Sequence, residues 1–528
     1  MRRKHMFKNI VAIVFAQVIV KIFGLLYKLY LANKPGFGDV GNAIYNGGYQ
    51  IYALLLTISS IGVPNAVAKM VIEHGNSKRD VASIMKSLFF LYSIIGVVGA
   101  IILGITARFI ANNMLNIPES RMSIIGLSPA IFNVCIISVL RGYYNGTKEF
   151  SISAKSQTIE QILKTICTVV FVEITYSLTL ANTEKMATMA NIATTAATFG
   201  SFAYLYKKYN LKEITGKIKG GIILKTIAIS IPISLSSILA SLNRNIDSFT
   251  IVRYLKNFIG EQSAIIEYGV LSGKVEVISA VPVSFIIAIS STIIPIVAEK
   301  NKLFDKRLLM NTVSKYFEYA IIIVLPCSIG GFIFSDQILR LLFNSTQGSI
   351  YFKINMITVF FIALEQIVNA TLQGIGKNYV PAASLLIGVI VKYVMNLILL
   401  KISPEKSWYA GVTGCCIGTF LCHFVAFAIS FCIFSKNLKI KSKILKFLLK
   451  QIIPSCIMAL TLKKAYLILL GIMQEKLAII LSGGIAIAIY LISTFLLKVV
   501  RNRDVICVYI SNLTKKEEKR RILYKNGE

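Results

Sequence analysis

Ile58-Ser-Ser-Ile-Gly-Val-Pro64 returns, 231 residues further along the chain, as Ile289-Ser-Ser-Thr-Ile-Ile-Pro295. A second motif, Leu140-Arg-Gly142, returns 232 residues later as Leu372-Gln-Gly374. Each motif lies near the end of a long apolar segment. Because two separate motifs recur with nearly the same offset, they predict an internal repeat, in which the second half of the chain is arranged like the first.

The segments around these motifs are apolar from one end of the chain to the other. Of the 528 residues, 55% are hydrophobic and 15% are charged, and the mean hydropathy is +0.70. Soluble domains carry about 25% charged residues, and a transmembrane helix needs roughly 20 apolar residues. The sequence therefore predicts an all-α, polytopic membrane protein. Fourteen predicted transmembrane helices, one to fourteen in chain order, cover about residues 7–31, 45–72, 82–110, 122–143, 153–180, 185–206, 221–250, 268–298, 312–334, 351–374, 379–401, 408–434, 447–472 and 477–500.

The basic residues indicate the orientation of the chain. There are 57 Lys and Arg against 24 Asp and Glu, a net charge of +33. In a soluble protein this excess would indicate a nucleic-acid partner. Here the basic residues concentrate in alternate loops, as the positive-inside rule describes for the cytoplasmic side of a membrane. The pattern predicts cytoplasmic N- and C-termini, no nucleic-acid partner, and contact between the basic tail and anionic membrane lipids.

The repeat sets the predicted domain organisation. Six helices per half return the chain to the same side of the membrane, so the halves are parallel repeats, an arrangement of transporters that bind substrate between the halves. Helices thirteen and fourteen lie outside the repeat. The predicted units are an N-terminal six-helix bundle (residues 1–219), a C-terminal six-helix bundle (220–440), the two extra helices (441–500) and a basic cytoplasmic tail (501–528).

A small group of basic residues, led by Lys21, Lys28, Arg244 and Lys274, falls within predicted membrane segments, where topology does not require it. An ionised side chain at the bilayer centre costs about 2.5–3.5 kcal/mol, so it is expected to face a partner or a cavity. Because helices one and seven are equivalent in the repeat, we expect these cations to converge on a central cavity and bind an anion such as a diphosphate. The alternative for Lys28 and Lys274 is that they snorkel to the membrane interface.

Other charged residues in membrane segments predict local pairs. Arg244 and Asp247 are three residues apart, and Glu160 and Lys164 are four apart. Each pair is therefore spaced to form a salt bridge within one helix. Lys392 lies 232 residues after Glu160, at the equivalent position of the second half. These residues are candidates for charge pairing or for coupling.

Glu365 has no basic residue near it in the sequence. It is a candidate carrier of a coupling proton or sodium ion, with a packed, protonated carboxyl group as the alternative. His423, on an apolar face, is expected to be a satisfied core residue. Pro64 and Pro295 interrupt the backbone hydrogen bonds of their helices and predict kinks, which serve either alternating access or packing.

Several kinds of chemistry have no support in the sequence. It contains no nucleotide-binding loop, dinucleotide fingerprint or metalloprotease motif. The nine cysteines lie mostly in apolar segments and show no CxxC pair, so neither disulfides nor zinc are implied. We expect a protein that is not an enzyme, has no catalytic residue, cofactor or metal ion, and is driven by the membrane potential, Na⁺ or H⁺.

The opening helices resemble a known family. Lys21-Ile-Phe-Gly-Leu-Leu-Tyr-Lys28, followed by Ile44-Tyr-Asn-Gly-Gly-Tyr-Gln-Ile-Tyr52 and its continuation to Lys69, resembles the stage V sporulation protein B branch of the MATE/MOP superfamily of multidrug and polysaccharide exporters. Ser272-Gly-Lys274 through Ile294-Pro295-Ile-Val-Ala298 is similar to the eighth helix of the MurJ lipid II flippases.

The resemblance implies a V-shaped pair of bundles around a central cavity, in a bacterial cell membrane. It implies a flippase that moves an undecaprenyl-diphosphate-linked saccharide (lipid II or a related wall, spore-cortex or polysaccharide precursor) to the outer leaflet by alternating access. It also implies that Lys21, Lys28 and Lys274 line the cavity and meet the diphosphate. The anionic glycolipid is then the expected partner, with cell-wall synthesis proteins as further candidates.

Three alternatives stay open at the level of the residues. A cation-coupled multidrug exporter would use unpaired carboxylates in the cavity, where basic residues are here more numerous. A membrane glycosyltransferase would need acidic or histidine residues on a sizeable loop, and the predicted outer loops are short. A scaffold for wall synthesis would need neither cavity carboxylates nor a large catalytic loop.

Overall fold

The computed structural model describes residues 20, 22–57, 62–74, 77–209, 217–302, 306–437 and 441–497. These residues are almost entirely helical, and no strand occurs among them. Two π-helical turns, Ile110–Leu115 and Leu271–Val275, extend the fourth helix and join the ninth to the tenth. The helices are α1 (residues 22–33), α2 (Gly38–Thr57), α3 (Val63–His74), α4 (Lys78–Phe109), α5 (Ser120–Gly146), α6 (Phe150–Thr179), α7 (Thr183–Lys208), α8 (Gly220–Ile259), α9 (Glu261–Val270), α10 (Glu276–Lys302), α11 (Lys306–Ile333), α12 (Ser335–Phe343), α13 (Ser349–Gly374), α14 (Tyr379–Leu399), α15 (Val412–Asn437), α16 (Lys441–Leu470) and α17 (Glu475–Leu496).

Ten spans in the described part of the chain are long and apolar enough to cross a membrane: α4, α5, α6, the joined α9 and α10, α11, and α13 to α17. The predicted all-helical membrane architecture is confirmed. Predicted helices one, two, six and seven overlap α1, α2 with α3, α7 and α8, which are not among the ten, so the count of fourteen stays a prediction. Both predicted cytoplasmic termini lie outside the described residues.

Helices of each predicted half pack on one another. In the first half α5 contacts α2, α3, α4 and α7, and α6 packs on α7. In the second half α13 contacts α10, α11 and α15, and α14 packs on α15. The helices α16 and α17 pack together against α11 and share a small apolar core that includes Phe334, Met458 and Tyr490. The exact domain boundaries stay a prediction.

Within each half, the helices that carry the two repeated motifs cross each other closely. A Cβ atom at Gly142 of α5 would lie 2.5 Å from the Cβ of Val67 on α3. A Cβ atom at Gly374 of α13 would lie 2.7 Å from the Cβ of Val297 on α10. Small residues allow helix backbones to approach closely within a membrane. Both halves therefore contain the same glycine-mediated crossing, at the positions that the shared offset indicated.

The two repeat-related prolines lie in these crossing helices. Pro64 is the second residue of α3 and is buried, and residues 58–61 before it are outside the described part. In the second half α10 continues through position 295, whose side chain is not described. The early position of Pro64 in α3 is where a proline costs least, because first-turn amides have no partner within the helix. The kinks stay a prediction.

Candidate functional site: a cationic seam between the halves

The two halves meet along a seam formed by α2 and α3 on one side and by α8 and α9 on the other. Polar side chains meet across it; the hydroxyl of Thr57 on α2 lies 3.2 Å from that of Ser241 on α8. In a protein with parallel repeats, the surface between the repeats is where a transported substrate binds. The seam is therefore the expected location of a substrate site.

Two basic side chains, Lys164 and Arg244, act on Tyr49 of α2, and a third, Lys28, interacts with both of them. The Nζ of Lys164 on α6 lies 3.9 Å from the centroid of the Tyr49 ring and 5.0 Å from that of Tyr27. The charge of Arg244 on α8 acts on Tyr49, and Lys28 on α1 interacts electrostatically with both Arg244 and Lys164. The seam thus brings together two of the predicted cations, Lys28 and Arg244, and adds Lys164 to them.

Lys164 has no carboxylate partner. It is only 5% exposed, and its ammonium group forms no ion pair with any described residue. The predicted Glu160–Lys164 salt bridge is wrong, because Glu160 accepts a hydrogen bond from Nη2 of Arg141 on α5 at 2.7 Å. A guanidinium group suits a carboxylate geometrically, whereas the Lys164 ammonium lies against the electron-rich faces of two rings. The buried amino group of Lys164 is therefore left without an ion-pair partner in the described part of the chain.

Arg244 also forms no ion pair among the described residues, although the charge of Glu276 on α10 acts on it. The predicted Arg244–Asp247 pair is wrong, because Asp247 lies 2.6 Å from Nζ of Lys392 and accepts a hydrogen bond from Asn396 at 2.9 Å. Both of these partners are on α14. Arg244 is exposed, and its Nη2 donates a long hydrogen bond to the hydroxyl of Ser241 at 3.5 Å. Within one turn of α8, Asp247 therefore pairs with α14, and Arg244 forms no ion pair with any described residue.

Glu365 has a partner that is distant in sequence. Its Oε2 lies 2.8 Å from Nδ1 of His423 on α15, and Asn369 donates a hydrogen bond to its Oε1 at 3.2 Å. The Nε2 of His423 lies 3.1 Å from Nδ2 of Asn243 on α8. Both ring nitrogens of His423 therefore have a polar partner, as expected for a satisfied histidine. The side chains of Glu365, His423 and Asn243 form a polar chain.

Lys274 lies at the end of the seam that the predicted topology places outside the cell. It is buried in the π-helical turn after α9, and its Nζ lies 2.8 Å from the carboxylate of Asp39, in the first turn of α2. A Cβ atom at Gly269 would collide with the backbone oxygen of Asp39, and one at Gly273 with the side chain of Asn42. Lys274 therefore ties the two halves together. Its predicted contact with a diphosphate stays a prediction.

A cavity of about 500 Å³ opens between α2, α7 and α9, close to this contact. Its lining includes three carboxylic acids, Glu119, Glu184 and Glu261, together with Val40 and Ile44 of α2. The predicted outer mouth of the seam is thus acidic, whereas its middle is basic.

Two further observations complete the placement of the predicted residues. Lys21 lies outside the described residues. In the described ranges, no group of three or more His, Cys, Asp or Glu side chains is arranged to hold a metal ion.

The ring contacts of Lys164 were not predicted from the sequence. A signal for them was present, because Tyr45, Tyr49 and Tyr52 recur at helical spacing and form a contacting row on α2.

The fold and the seam define a class: a polytopic helical membrane protein of the transporter type, with two parallel repeats and a polar site between them. The profile of the polysaccharide biosynthesis protein family matches residues 6–301, and the chain belongs to that family.

Two relatives cover most of the chain. It is 25% identical over 516 residues to the lipid II flippase MurJ of Bacillus subtilis (strain 168), covering 90% of this chain and 92% of the relative. It is 23% identical over 409 residues to stage V sporulation protein B of the same organism, covering 74% and 77%. The resemblance that the opening helices indicated is confirmed.

Solved structures share the fold. Lipid II flippase MurJ in an inward closed conformation superposes with a TM-score of 0.68 at 15% identity, covering 94% of this chain and 100% of that one. An inward-facing MATE family multidrug resistance transporter of the MOP superfamily gives a TM-score of 0.63 at 14% identity, covering 81% and 98%. Together with the ten apolar spans, these likenesses confirm a multi-pass protein of a bacterial cell membrane.

Proposed function

We propose that this protein is a flippase that moves an undecaprenyl-diphosphate-linked saccharide from the inner to the outer leaflet by alternating access. The observation that carries the proposal is the meeting of cations from both halves, Lys28, Lys164 and Arg244, at the seam. Relatives named for lipid II flipping and for sporulation support it. The substrate class is lipid II or a related wall, spore-cortex or polysaccharide precursor.

The chemistry of Lys164 explains why an anion belongs in this seam. A desolvated cation–π contact is worth about 2 kcal/mol, whereas removing an ammonium ion from water costs several kcal/mol. The rings of Tyr27 and Tyr49 therefore offset only part of the cost of burying this charge. A phosphate group would offset the rest through charge-assisted hydrogen bonds. Lys28 and Arg244 would face the second phosphate from opposite halves.

The direction of transport follows from charge. With the cell interior negative, moving one elementary charge across the membrane is worth about 2.3 kcal/mol per 100 mV, and an anionic head group is driven outward. The acidic mouth formed by Glu119, Glu184 and Glu261 would repel a head group that has left the basic middle of the seam. Opening that mouth requires Lys274 to part from Asp39, so we assign this pair to the outer closure.

Binding of the head group by purified protein tests the proposal. Undecaprenyl diphosphate is expected to bind much more tightly than undecaprenol, and Lys164→Gln is expected to weaken binding about tenfold or more, since a hydrogen bond to a charged group is worth about 1.5–3 kcal/mol. Lys185→Gln, at an exposed position at the start of α7, is the matched control and should bind like the unmodified protein. Equal affinity for the charged and uncharged lipids would refute the proposal.

The multidrug-exporter alternative is less well supported. Such a transporter needs an unpaired carboxylate for a cationic drug or coupling ion. The carboxylates predicted for coupling each have a basic partner: Glu160 has Arg141, Asp247 has Lys392 and Glu365 has His423. Association with cell-wall synthesis proteins stays a prediction.

A further inference from the structure

A polar chain inside the second half has no part in the proposed binding of the diphosphate. Its centre is the contact between Glu365 on α13, 3% exposed, and His423 on α15. Asn243 of α8 joins it through the side-chain contact with His423, and its backbone oxygen accepts a hydrogen bond from Nζ of Lys392 at 2.5 Å. Lys392 in turn pairs with Asp247. The chain therefore runs from Glu365 to the helix that carries Arg244.

Asn243 provides a second, independent observation. Its side-chain nitrogen lies near Nε2 of His423, and its side-chain oxygen is buried without a hydrogen-bond partner. With the amide in this orientation, His423 accepts at Nε2 and donates from Nδ1 to Glu365, so the imidazole is neutral and the carboxylate charged. Rotating the amide by half a turn would place an acceptor opposite Nε2, where a second imidazole proton could then be held.

The surroundings of the pair contain few other charges. The charges of Glu365, Lys392 and Asp247 all act on Cys422, the residue before His423 on α15. From α10, Glu276 interacts with Asp247 and Lys392, and also with Arg244 and Lys28 of the seam. The buried side chains of α11, such as Phe317, Ile321 and Val324, carry no charge. The pair is therefore connected to the seam through contacts, from His423 through Asn243 and Lys392 to Asp247, and Glu276 acts on both that end of the chain and the cations of the seam.

We propose that the Glu365–His423 pair is a proton-binding site linked to binding of the diphosphate, an inference that rests on the proposed function. One proton from water converts a carboxylate beside a neutral imidazole, net charge −1, into a carboxylate beside an imidazolium, net charge 0. Removing that negative charge from the second half strengthens the attraction of Arg244 and Lys28 for an anion. By reciprocity, binding of the diphosphate draws a proton onto the pair.

The test is calorimetric titration of the detergent-purified full-length protein with undecaprenyl diphosphate, in two buffers of different ionisation enthalpy. The unmodified protein should take up a proton on binding, and its affinity should rise as the pH falls, by at most about tenfold per pH unit. Glu365→Gln and His423→Gln should each abolish the uptake and keep binding. Glu173→Gln, which removes an outer carboxylate paired with Lys34, should keep both.

The outcomes separate the two proposals. If the unmodified protein binds the diphosphate without taking up a proton, or if Glu365→Gln and His423→Gln both keep the uptake, the proton site is refuted and the proposed function stands. If the unmodified protein does not bind the diphosphate at all, both are refuted. The second variant matters because either substitution alone could unfold a buried site; two folded variants without uptake support the inference.

Discussion

At the scale of single residues, the basic side chains at membrane depth fall into two groups. Arg141, Lys274 and Lys392 each lie 2.6–2.8 Å from a carboxylate. Lys164 and Arg244 form no ion pair within the described part of the chain. A paired charge holds helices together and attracts a ligand weakly, whereas an unpaired one in a low-dielectric setting attracts an anion strongly. The capacity to bind an anion is therefore concentrated in the second group.

The Lys392–Asp247 pair predicts an asymmetric response to mutation. Both side chains are almost fully buried, so Lys392→Met should leave an uncompensated carboxylate and lower the free energy of unfolding by about 3–5 kcal/mol. The double variant Lys392→Met/Asp247→Leu should recover much of that loss. Lys69→Met, which removes a half-exposed ion pair with Glu73, should change it by less than about 1 kcal/mol. Unfolding in detergent measures all three, and a double variant no more stable than the single one would contradict the assignment.

Local pairing within a helix was the wrong basis for predicting partners. Arg244 with Asp247 and Glu160 with Lys164 have the right spacing, yet Asp247 and Glu160 bind bases on other helices, 145 and 19 residues away. Sequence shows which residues share a helix face but not which helix packs against it. For the same reason, the sequence did not predict that Lys274 pairs with Asp39 or that Glu365 pairs with His423.

At the scale of elements, α2 is the helix that connects the halves. Its first turn carries Asp39, which pairs with Lys274. Its middle carries Tyr49, which contacts Lys164 and on which the charge of Arg244 acts. Its last residue, Thr57, contacts Ser241. A change in the angle between the halves must alter all three contacts. We therefore expect α2 to report on the conformation of the whole seam.

The outer contact of α2 with α9 predicts a gating mutation. Any side chain at Gly269 collides with the backbone of Asp39, which no rotamer change relieves, so Gly269→Val should separate the two helices at their outer ends. A cysteine introduced at the buried Asn42 should then react several-fold faster with a membrane-impermeant maleimide in intact cells. Gly484→Val is the matched control, since a Cβ atom at Gly484 would meet no group of another described element within 4 Å. Unchanged labelling of a correctly inserted Gly269→Val protein would argue against an outer closure here.

At the scale of the whole molecule, hydropathy and the repeated motifs were sufficient to predict the architecture. Apolar length identifies spans such as α4 and α13 directly, because a bilayer demands it. The common offset of the motifs predicted that Gly142 and Gly374 occupy equivalent crossings, which they do. Of the predicted site residues, Lys28 and Arg244 interact electrostatically, and Lys164, which the spacing predicts in a local pair, interacts with Lys28; their binding of a diphosphate stays a prediction. Most of the net charge of +33 comes from predicted loop residues, so the net charge does not reveal this small group.

The most direct test is translocation by the purified protein in proteoliposomes, using a labelled undecaprenyl-diphosphate-linked saccharide and its uncharged undecaprenol-linked counterpart. We predict that the charged lipid crosses faster than in protein-free vesicles, and faster still when a potential makes the destination side positive. Lys164→Gln should reduce the rate to about one-tenth or less. No movement above protein-free vesicles, or equal movement of the uncharged lipid, would contradict a flippase built on a cationic seam.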